Sequence, residues 1–212
     1  MELRVGLTQR VVDLPDRGER RDALDQRWTA LLEGAGLVPV AIPNTVREPE
    51  RFVTDLALRL IVFTGGNDLA HLPDASEPAP ERDTTEGRLY RWCTEHELPA
   101  LGVCRGLQLM VTLTGGTLSR VEGHVRRPHA IDVVGPRRWL TDGRVVSSFH
   151  GWGITPEGLG PVLRPLALAP DGTVETALHP SLPQVGIMWH PEREADPSDD
   201  VALIRALVDG TR

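Results

Sequence analysis

Short apolar runs and longer segments of helical spacing alternate through the first half of the chain. The apolar runs predict β-strands at residues 3–8, 38–42, 58–63 and 99–103. Apolar residues at helical spacing predict helices at residues 22–33 and 85–97, and a third helix that begins at residues 107–113. Strands that alternate with helices in this way are typical of α/β proteins. The pattern therefore predicts a mostly parallel central sheet with helices on both faces.

The second half of the chain has shorter apolar runs that are separated by glycine and proline turns. These runs predict strands at residues 130–134, 145–149, 166–169 and 185–189, and hence a smaller antiparallel region. Residues 198–208 predict a closing helix with Ser198 as its N-cap, and the proline-rich residues 72–80 predict a loop or lid. We expect residues 1–212 to form one domain, a flavodoxin-like sandwich.

Charge and cysteine content narrow the range of functions. The 212 residues carry a formal net charge of -7, which argues against nucleic acid as a partner because phosphates require a basic surface. The chain has two cysteines, Cys93 and Cys104, so a disulfide-rich secreted scaffold is not expected. The N-terminus lacks an apolar run like that of a signal peptide, and no segment reaches membrane-spanning length. We therefore expect a cytoplasmic protein with no membrane partner.

A candidate nucleophile lies where the strand at residues 99–103 meets the following helix. The sequence Gly-Val-Cys-Arg-Gly places Cys104 between Gly102 and Gly106, which is the spacing of a strand-to-helix elbow in α/β hydrolases. Such a tight turn leaves no room for side chains at the glycine positions, and a helix N-terminus favours the thiolate form of Cys104. On this motif alone, an inert buried cysteine is an equally good explanation. Cys93, inside a predicted helix, is assigned to packing.

His190 is the candidate base for this nucleophile. It follows the apolar strand at residues 185–189 and precedes Pro191 and Glu192. Residues two apart on an extended segment point the same way, so the Glu192 carboxylate could hold the imidazole in the tautomer that accepts the thiol proton. A strand-terminating turn is the alternative interpretation of His-Pro-Glu alone. Its occurrence together with the elbow favours catalysis.

A glycine pair follows the strand at residues 58–63, in the sequence Thr-Gly-Gly-Asn-Asp. Glycines at a strand end allow backbone N–H groups to converge on one point. We expect an N–H of Gly66 or Asn67, together with the N–H of Arg105, to form an oxyanion hole. An ordinary strand-end turn is the alternative. The loop follows the strand that precedes the elbow strand, and this position favours the functional interpretation.

These motifs together resemble those of class I glutamine amidotransferase-like hydrolases. The elbow continues as Gly-Val-Cys-Arg-Gly-Leu-Gln-Leu-Met, and Arg82-Asp83, Asp-Gly-Thr-Val-Glu at residues 171–175 and Gly-Ile-Met-Trp-His-Pro-Glu are similar to the γ-glutamyl-γ-aminobutyrate hydrolase branch. The resemblance covers residues 3–193. It implies a Cys104–His190–Glu192 triad, a γ-glutamyl thioester intermediate and release of glutamate by water. We expect no cofactor and no metal.

The resemblance also assigns a wall of the substrate pocket, with Gln108 and the segment around His150 holding the glutamyl α-amino and α-carboxylate groups. The candidate substrate-binding residues are Gln108, Ser148, Phe149, His150 and Trp152. The family commonly has Val-Asn-Ser-x-His-His-Gln where this chain has Val-Ser-Ser-Phe-His-Gly-Trp. The leaving group therefore stays open. Trp152 fits a pocket wall and an apolar core equally well.

Two small-molecule γ-glutamyl substrates are compatible with the resemblance. The Gly-Gly-Asn-Asp-Leu loop, the early Gly-Leu-Thr-Gln-Arg sequence and the short length resemble a subgroup described as γ-glutamyl-CDP-amidate hydrolases. That subgroup is linked to the biosynthesis of bacterial surface (capsule) polysaccharides. A pyrophosphate-bearing substrate would explain arginines near the pocket. The other candidate substrate is γ-glutamyl-γ-aminobutyrate.

Other functions are compatible with parts of the pattern. A glutaminase subunit that delivers ammonia to a separate synthetase partner would share the triad, and the motifs do not exclude it. A non-catalytic module of the same fold would usually lack the nucleophile or the histidine, and both occur here. His124 and His129, near Glu122, have no further ligand pair at metal spacing, so we interpret them as surface or loop histidines. The sequence leaves a homodimer open.

Overall fold

The computed structural model describes residues 2–136 and 139–210; Met1, Arg137, Arg138, Thr211 and Arg212 lie outside the described residues. The first half contains β1 (Arg4–Thr8), β2 (Arg10–Leu14), β3 (Glu19–Ala23), α1 (Arg27–Gly34), β4 (Val38–Ile42), α2 (Pro49–Asp55), β5 (Leu58–Phe63), α3 (Pro80–Glu95), β6 (Ala100–Val103) and α4 (Arg105–Leu113). The second half contains β7 (Ser119–Arg120), β8 (His129–Ala130), β9 (Asp132–Val133), β10 (Val145–Val146), β11 (Trp152–Gly153), β12 (Arg164–Leu168), β13 (Val174–Leu178), β14 (Gln184–Ile187) and α5 (Ser198–Asp209). One domain over residues 1–212 stays a prediction.

A mixed sheet organises the described residues, with eight strands in the order β4–β1–β5–β6–β14–β13–β12–β9. The strands from β4 to β14 in this order are parallel, whereas those from β14 to β9 are antiparallel. β2 and β3 form an antiparallel hairpin that is not part of the eight-stranded sheet. Among the described residues, no helix is both long and apolar enough to cross a membrane.

Helices cover both faces of the sheet because its central strands are apolar on both sides. In β5, Leu60 and Val62 pack into one core with residues of α1 and α5. Ile61 and Phe63 pack into a second core with residues of α2, α3 and α4. Successive side chains of a strand point to opposite faces, so one continuous apolar run contributes to both cores. The predicted α/β architecture, with a mostly parallel sheet, helices on both faces and a smaller antiparallel region, is confirmed.

Two helix boundaries in the first half were predicted wrongly. The helix predicted at residues 22–33 begins only at Arg27, because residues 19–23 pair with residues 10–14 as the β2–β3 hairpin. The helix predicted at residues 85–97 begins earlier, at Pro80, where the fixed φ of proline suits the first helical turn. The short helix α2 was not predicted, because it has only seven residues.

The second half also departs from the sequence-based boundaries. The strands predicted at residues 130–134 and 145–149 are shorter, as β8, β9 and β10, and β13 was not predicted as a strand. Ser198 is the first residue of α5 and not its N-cap, and its hydroxyl donates to the carboxylate of Asp196. That hydroxyl therefore closes a turn before the helix instead of capping it.

Candidate active site

Cys104 lies between the C-terminal end of β6 and the start of α4. Its backbone has φ 52° and ψ -104°, a conformation that residues other than glycine rarely adopt. Gly106 permits the tight turn, because a Cβ there would lie 2.0 Å from the carbonyl oxygen of Phe63. At Gly102, a Cβ would lie 2.5 Å from the sulfur of Met110. Close packing therefore requires both glycines of the motif.

His190 reaches the same edge of the sheet as Cys104, because β14 and β6 are parallel neighbours with Ile187 opposite Val103. Its Nδ1 lies 2.9 Å from Oε1 of Glu192. An ionised carboxylate only accepts hydrogen bonds, so Nδ1 carries a proton and Nε2 is the ring atom that can exchange one. Cys104 and His190 both line a cavity of about 250 Å³.

The neighbours of His190 set the charge of its imidazole. Burial lowers the pKa of the ring, but hydrogen bonds to Cys104 and Glu192 outweigh burial and raise this pKa to about 9. The imidazolium form is therefore favoured near neutral pH. A ring in this state can hold a proton for delivery to a departing group.

A buried network of four charged side chains joins α3 to the elbow. Glu86 accepts hydrogen bonds from Arg82, at 2.8 Å, and from Arg105. Asp83 also pairs with Arg105. Two guanidinium and two carboxylate charges cancel, which allows charged groups to persist in a protein interior. The residue after Cys104 thus anchors the start of α4 to α3.

Arg82 also fixes the glycine loop that follows β5. Its guanidinium donates to the carbonyl oxygens of Thr64 at 2.6 Å, Gly65 at 3.1 Å and Gly66 at 2.6 Å. A trans peptide unit is planar, so its N–H points opposite to its carbonyl. The N–H groups of Gly66 and Asn67 consequently point away from Arg82.

The three predicted oxyanion residues, Gly66, Asn67 and Arg105, all line the cavity that contains the nucleophile candidate. The N–H of Arg105 belongs to the first turn of α4, where a helix offers no acceptor of its own. The side chain of Asn67 is used elsewhere: it accepts from the N–H of Val11 at 2.8 Å and donates to the carbonyl oxygen of Glu77 at 2.9 Å. The backbone N–H of Asn67 is therefore available to a ligand, whereas its side-chain carboxamide is not.

Four of the five predicted substrate-binding residues line this cavity, namely Gln108, Phe149, His150 and Trp152. Gln108 Nε2 donates to the carbonyl oxygen of Trp152 at 2.8 Å. Trp152 also packs in the apolar core on that face of the sheet, so its side chain contributes to both the cavity lining and the core. Ser148 is buried outside the lining, and its hydroxyl donates to the carbonyl oxygen of His124 at 2.6 Å.

Two arginines that the sequence analysis did not single out as site residues also line the cavity, Arg10 and Arg193. Arg193 lies 4.9 Å from the ring centroid of Phe149, and that ring meets His190 edge-on at 5.8 Å. Arg10 donates to a carboxylate oxygen of Glu77 at 2.7 Å. Both guanidinium groups are partly exposed. Their positions, directly after the Gly-Leu-Thr-Gln motif and directly after Glu192, are the signals in the sequence that could have identified them.

The structure corrects the interpretation of His124 as a surface or loop histidine. His124 is buried, and its ring nitrogens lie close to those of His150 and to the carboxylate of Glu175. The carboxylates of Glu175 and Asp171 raise the pKa of His124 to about 8, against the opposing effect of burial. His129, also interpreted as a loop residue, contacts the same carboxylate. Long sequence separation between the histidines and Glu175 hid this cluster from motif analysis.

Comparisons with known proteins identify the family of this chain. The family model described as Peptidase C26 matches residues 5–192. The chain belongs to the Peptidase C26 family. It is 29% identical over 196 residues to the γ-glutamyl-CDP-amidate hydrolase of Campylobacter jejuni, with 90% of each chain covered. It is 28% identical over 229 aligned positions to the γ-glutamyl-γ-aminobutyrate hydrolase of Escherichia coli K12, with 92% of this chain and 87% of the relative covered.

Solved structures of glutamine amidotransferases share the fold. A glutamine amidotransferase from Thermotoga maritima superposes with a TM-score of 0.71 at 14% sequence identity, and 99% of both chains are covered. Family membership and these relatives confirm the resemblance to glutamine amidotransferase-like γ-glutamyl hydrolases. This member of the Peptidase C26 family is a hydrolase that acts on amide bonds.

Proposed function

We propose that Cys104, His190 and Glu192 form a catalytic triad that hydrolyses a γ-glutamyl amide. The observation that carries this proposal is the convergence of Cys104 and His190 on one cavity, with Nδ1 of His190 held 2.9 Å from Glu192. A nucleophile, a base and a group that orients the base are the three components of thiol catalysis. Glu192 fixes the tautomer and stabilises the imidazolium.

The reaction proceeds through a γ-glutamyl thioester. The thiol proton of Cys104 passes to His190 before attack, which gives the imidazolium that the raised pKa of the ring favours. Cys104 Sγ then bonds to the γ-carbonyl carbon, and the carbonyl oxygen becomes an oxyanion. Backbone N–H groups of Arg105 and of Gly66 or Asn67 stabilise this oxyanion. The C–N bond breaks as the imidazolium of His190 protonates the leaving nitrogen. Water, deprotonated by the same ring, then attacks the thioester and releases glutamate and the free thiol.

A γ-glutamyl-CDP-amidate is the substrate that this site favours. The Campylobacter jejuni relative of that name aligns over 90% of both chains, and Arg10 and Arg193 place two guanidinium groups at the cavity. Guanidinium groups bind phosphate oxygens in pairs, so a pyrophosphate leaving group would use them. γ-Glutamyl-γ-aminobutyrate, the substrate named for the Escherichia coli relative, is the second candidate.

A three-substrate assay tests the substrate class. Turnover of a γ-glutamyl nucleotide amidate, γ-glutamyl-γ-aminobutyrate and glutamine is measured with the purified chain alone. We expect the highest kcat/KM for the nucleotide amidate, and Arg193→Met should raise KM for that substrate more than for the other two. Activity on glutamine that requires a synthetase partner would instead identify an ammonia-delivering subunit.

Cys104→Ala tests the triad itself. We expect loss of all measurable turnover with an unchanged circular dichroism spectrum, and His190→Asn should lower kcat by several orders of magnitude. If Cys104→Ala keeps wild-type turnover, the covalent mechanism is wrong. A loss of only a few-fold in His190→Asn would remove His190 from the role of base.

A further inference from the structure

Three imidazoles surround one buried carboxylate behind the pocket wall, in a group that we call the Glu175 cluster (His124, His129, His150 and Glu175). Oε1 of Glu175 lies 3.5 Å from His124 Nδ1, 3.2 Å from His129 Nε2 and 3.5 Å from His150 Nε2. Glu175 is completely inaccessible to solvent, and neither of its oxygens has a hydrogen-bond partner among the described residues. A buried carboxylate without a partner is strongly unfavourable.

The outer nitrogens of two of these imidazoles have assigned partners. His124 Nε2 lies 2.8 Å from Oδ2 of Asp171, and His150 Nδ1 lies 3.1 Å from the carbonyl oxygen of Trp152. Carboxylates and carbonyls only accept hydrogen bonds, so these outer nitrogens carry the protons. In the neutral rings, the inner nitrogens therefore present lone pairs to the Glu175 carboxylate. A positive charge at the centre, either a metal ion or the proton of an imidazolium, would satisfy this arrangement.

The two hydroxyl groups near the cluster do not donate hydrogen bonds to its inner face. Its Oγ lies 3.5 Å from His124 Nδ1, but its hydroxyl donates to the carbonyl oxygen of His124 at 2.6 Å. Thr173 Oγ1, 3.4 Å from His124 Nε2, similarly donates to Asp171 at 2.7 Å. Neither hydroxyl therefore donates to the inner face of the cluster.

We propose that the Glu175 cluster binds a zinc ion. Its ligands are Nδ1 of His124, Nε2 of His150 and Oε1 of Glu175, whose candidate ligand atoms lie within 4.8 Å of one another. In a tetrahedral zinc site with bonds of about 2.0–2.1 Å, neighbouring ligand atoms are roughly 3.3 Å apart. The 3.5 Å separations in the cluster match that spacing and are too long for good hydrogen bonds. His129 Nε2 also lies 3.2 Å from Oε1 of Glu175, but His129 is not part of this three-residue ligand set.

The surroundings of the cluster also fit a metal. Histidine ligands of metal ions typically donate their other N–H to a carboxylate or a backbone carbonyl, which are the partners that Asp171 and Trp152 provide. The carbonyl oxygen of Trp152 accepts from both His150 and Gln108. An ion in the cluster would therefore hold one wall of the catalytic cavity in position without touching Cys104.

Metal content gives a direct test of this site. The 212-residue chain is produced without an affinity tag and purified without metal columns, and bound zinc is measured by inductively coupled plasma mass spectrometry. We expect about one equivalent per chain. Zinc-free wild type should rebind one equivalent of zinc, and Co²⁺ should produce the intense visible bands of tetrahedral cobalt.

Four variants separate the Glu175 cluster from other zinc ligands. Glu175→Gln and His124→Gln should bind zinc at least ~10-fold more weakly. Cys104→Ala should keep the ion, which excludes zinc captured by the active-site thiol. His71→Gln, at an exposed histidine outside the cluster, should also keep it.

The outcomes that overturn the proposal are equally specific. Zinc-free wild type that binds neither Zn²⁺ nor Co²⁺ would show that the cluster is held together by a protonated imidazole. Undiminished zinc affinity in Glu175→Gln, or loss of zinc in Cys104→Ala, would place the ion elsewhere. The measurements on wild type need no substitution, so the test remains valid if a cluster variant fails to fold.

Discussion

The backbone of Gly65 abuts the imidazole of His190: a Cβ at position 65 would lie 2.5 Å from Cε1 of the ring. The glycine loop and the histidine therefore limit each other's positions. Arg82 holds the loop from its other side through the carbonyl oxygens of Gly65 and Gly66. The space occupied by His190 thus depends on the absence of one methyl group from the loop.

Gly65→Ala should impair catalysis by displacing His190. A misplacement of about 1 Å can cost roughly 100-fold in rate, so we expect kcat to fall by about 10- to 100-fold. Gly34→Ala is the matched control, because nothing lies within 4 Å of the added Cβ at the end of α1. Steady-state kinetics measure kcat for both variants, and circular dichroism checks that both are folded. Equal activities would show that the loop gives way instead of the histidine.

Alkylating agents should modify Cys104 much faster than Cys93 near neutral pH. Cys93 is inaccessible to solvent, and burial raises the pKa of its thiol to about 12. The reactive thiolate form of Cys93 is consequently scarce, whereas Cys104 lines the cavity beside His190. Peptide mass spectrometry after timed iodoacetamide treatment measures both rates. Similar rates would contradict the assignment of Cys93 to packing.

Glu192→Gln should shift the pH profile of activity toward lower pH. The Glu192 carboxylate and Cys104 raise the pKa of His190 to about 9 against burial, so removal of the carboxylate lowers this pKa. The imidazolium that protonates the leaving nitrogen is then lost at a lower pH. In the variant, the alkaline fall of kcat/KM should occur at a lower pH than the value of about 9 expected for the wild type. An unmoved limb would mean that another group controls it.

Glu86→Gln should destabilise the fold far more than an equivalent change at the surface. The substitution leaves the buried guanidinium groups of Arg82 and Arg105 with one carboxylate fewer, and breaking a buried pair costs about 3–5 kcal/mol. Glu50→Gln is the control, because Glu50 pairs with Arg88 at 2.6 Å in a partly exposed position. Exposed pairs contribute about 1 kcal/mol or less. Urea denaturation gives both free energies of unfolding, and equal losses would argue against a buried network.

The sequence singled out the residues that meet at this edge of the sheet because the information there is local. Cys104 lies between two glycines that the turn requires sterically. Glu192 is two residues after His190 and reaches its ring, although residues Pro191–Arg193 form a 3-10 helix and not the predicted extended segment. Parallel pairing of β6 with β14 then brings them together. Neighbouring residues were enough to predict the elbow and the His190–Glu192 pair, whereas the pairing of β6 with β14 is seen only in the structure.

Features that depend on distant residues were missed. The β2–β3 hairpin consists largely of polar residues. Hydrogen bonds between the side-chain amide of Asn67 and the backbone of Val11 hold the hairpin against the glycine loop. Glu175 meets His124 and His150 through contacts between segments that are 25 or more residues apart in the chain. No periodicity marks such contacts, since each ligand lies in a different segment. Spatial convergence of single residues is visible only in three dimensions.

The backbone of Cys104 has a consequence for how far this protein can be stabilised. A non-glycine residue at such a φ costs about 1–3 kcal/mol, a substantial share of the roughly 5–15 kcal/mol that keeps a domain folded. Glycine would adopt the φ of 52° without that strain, but it has no thiol. Sequences selected for thermal stability alone should therefore drift away from cysteine at this position, and only selection for turnover keeps it there.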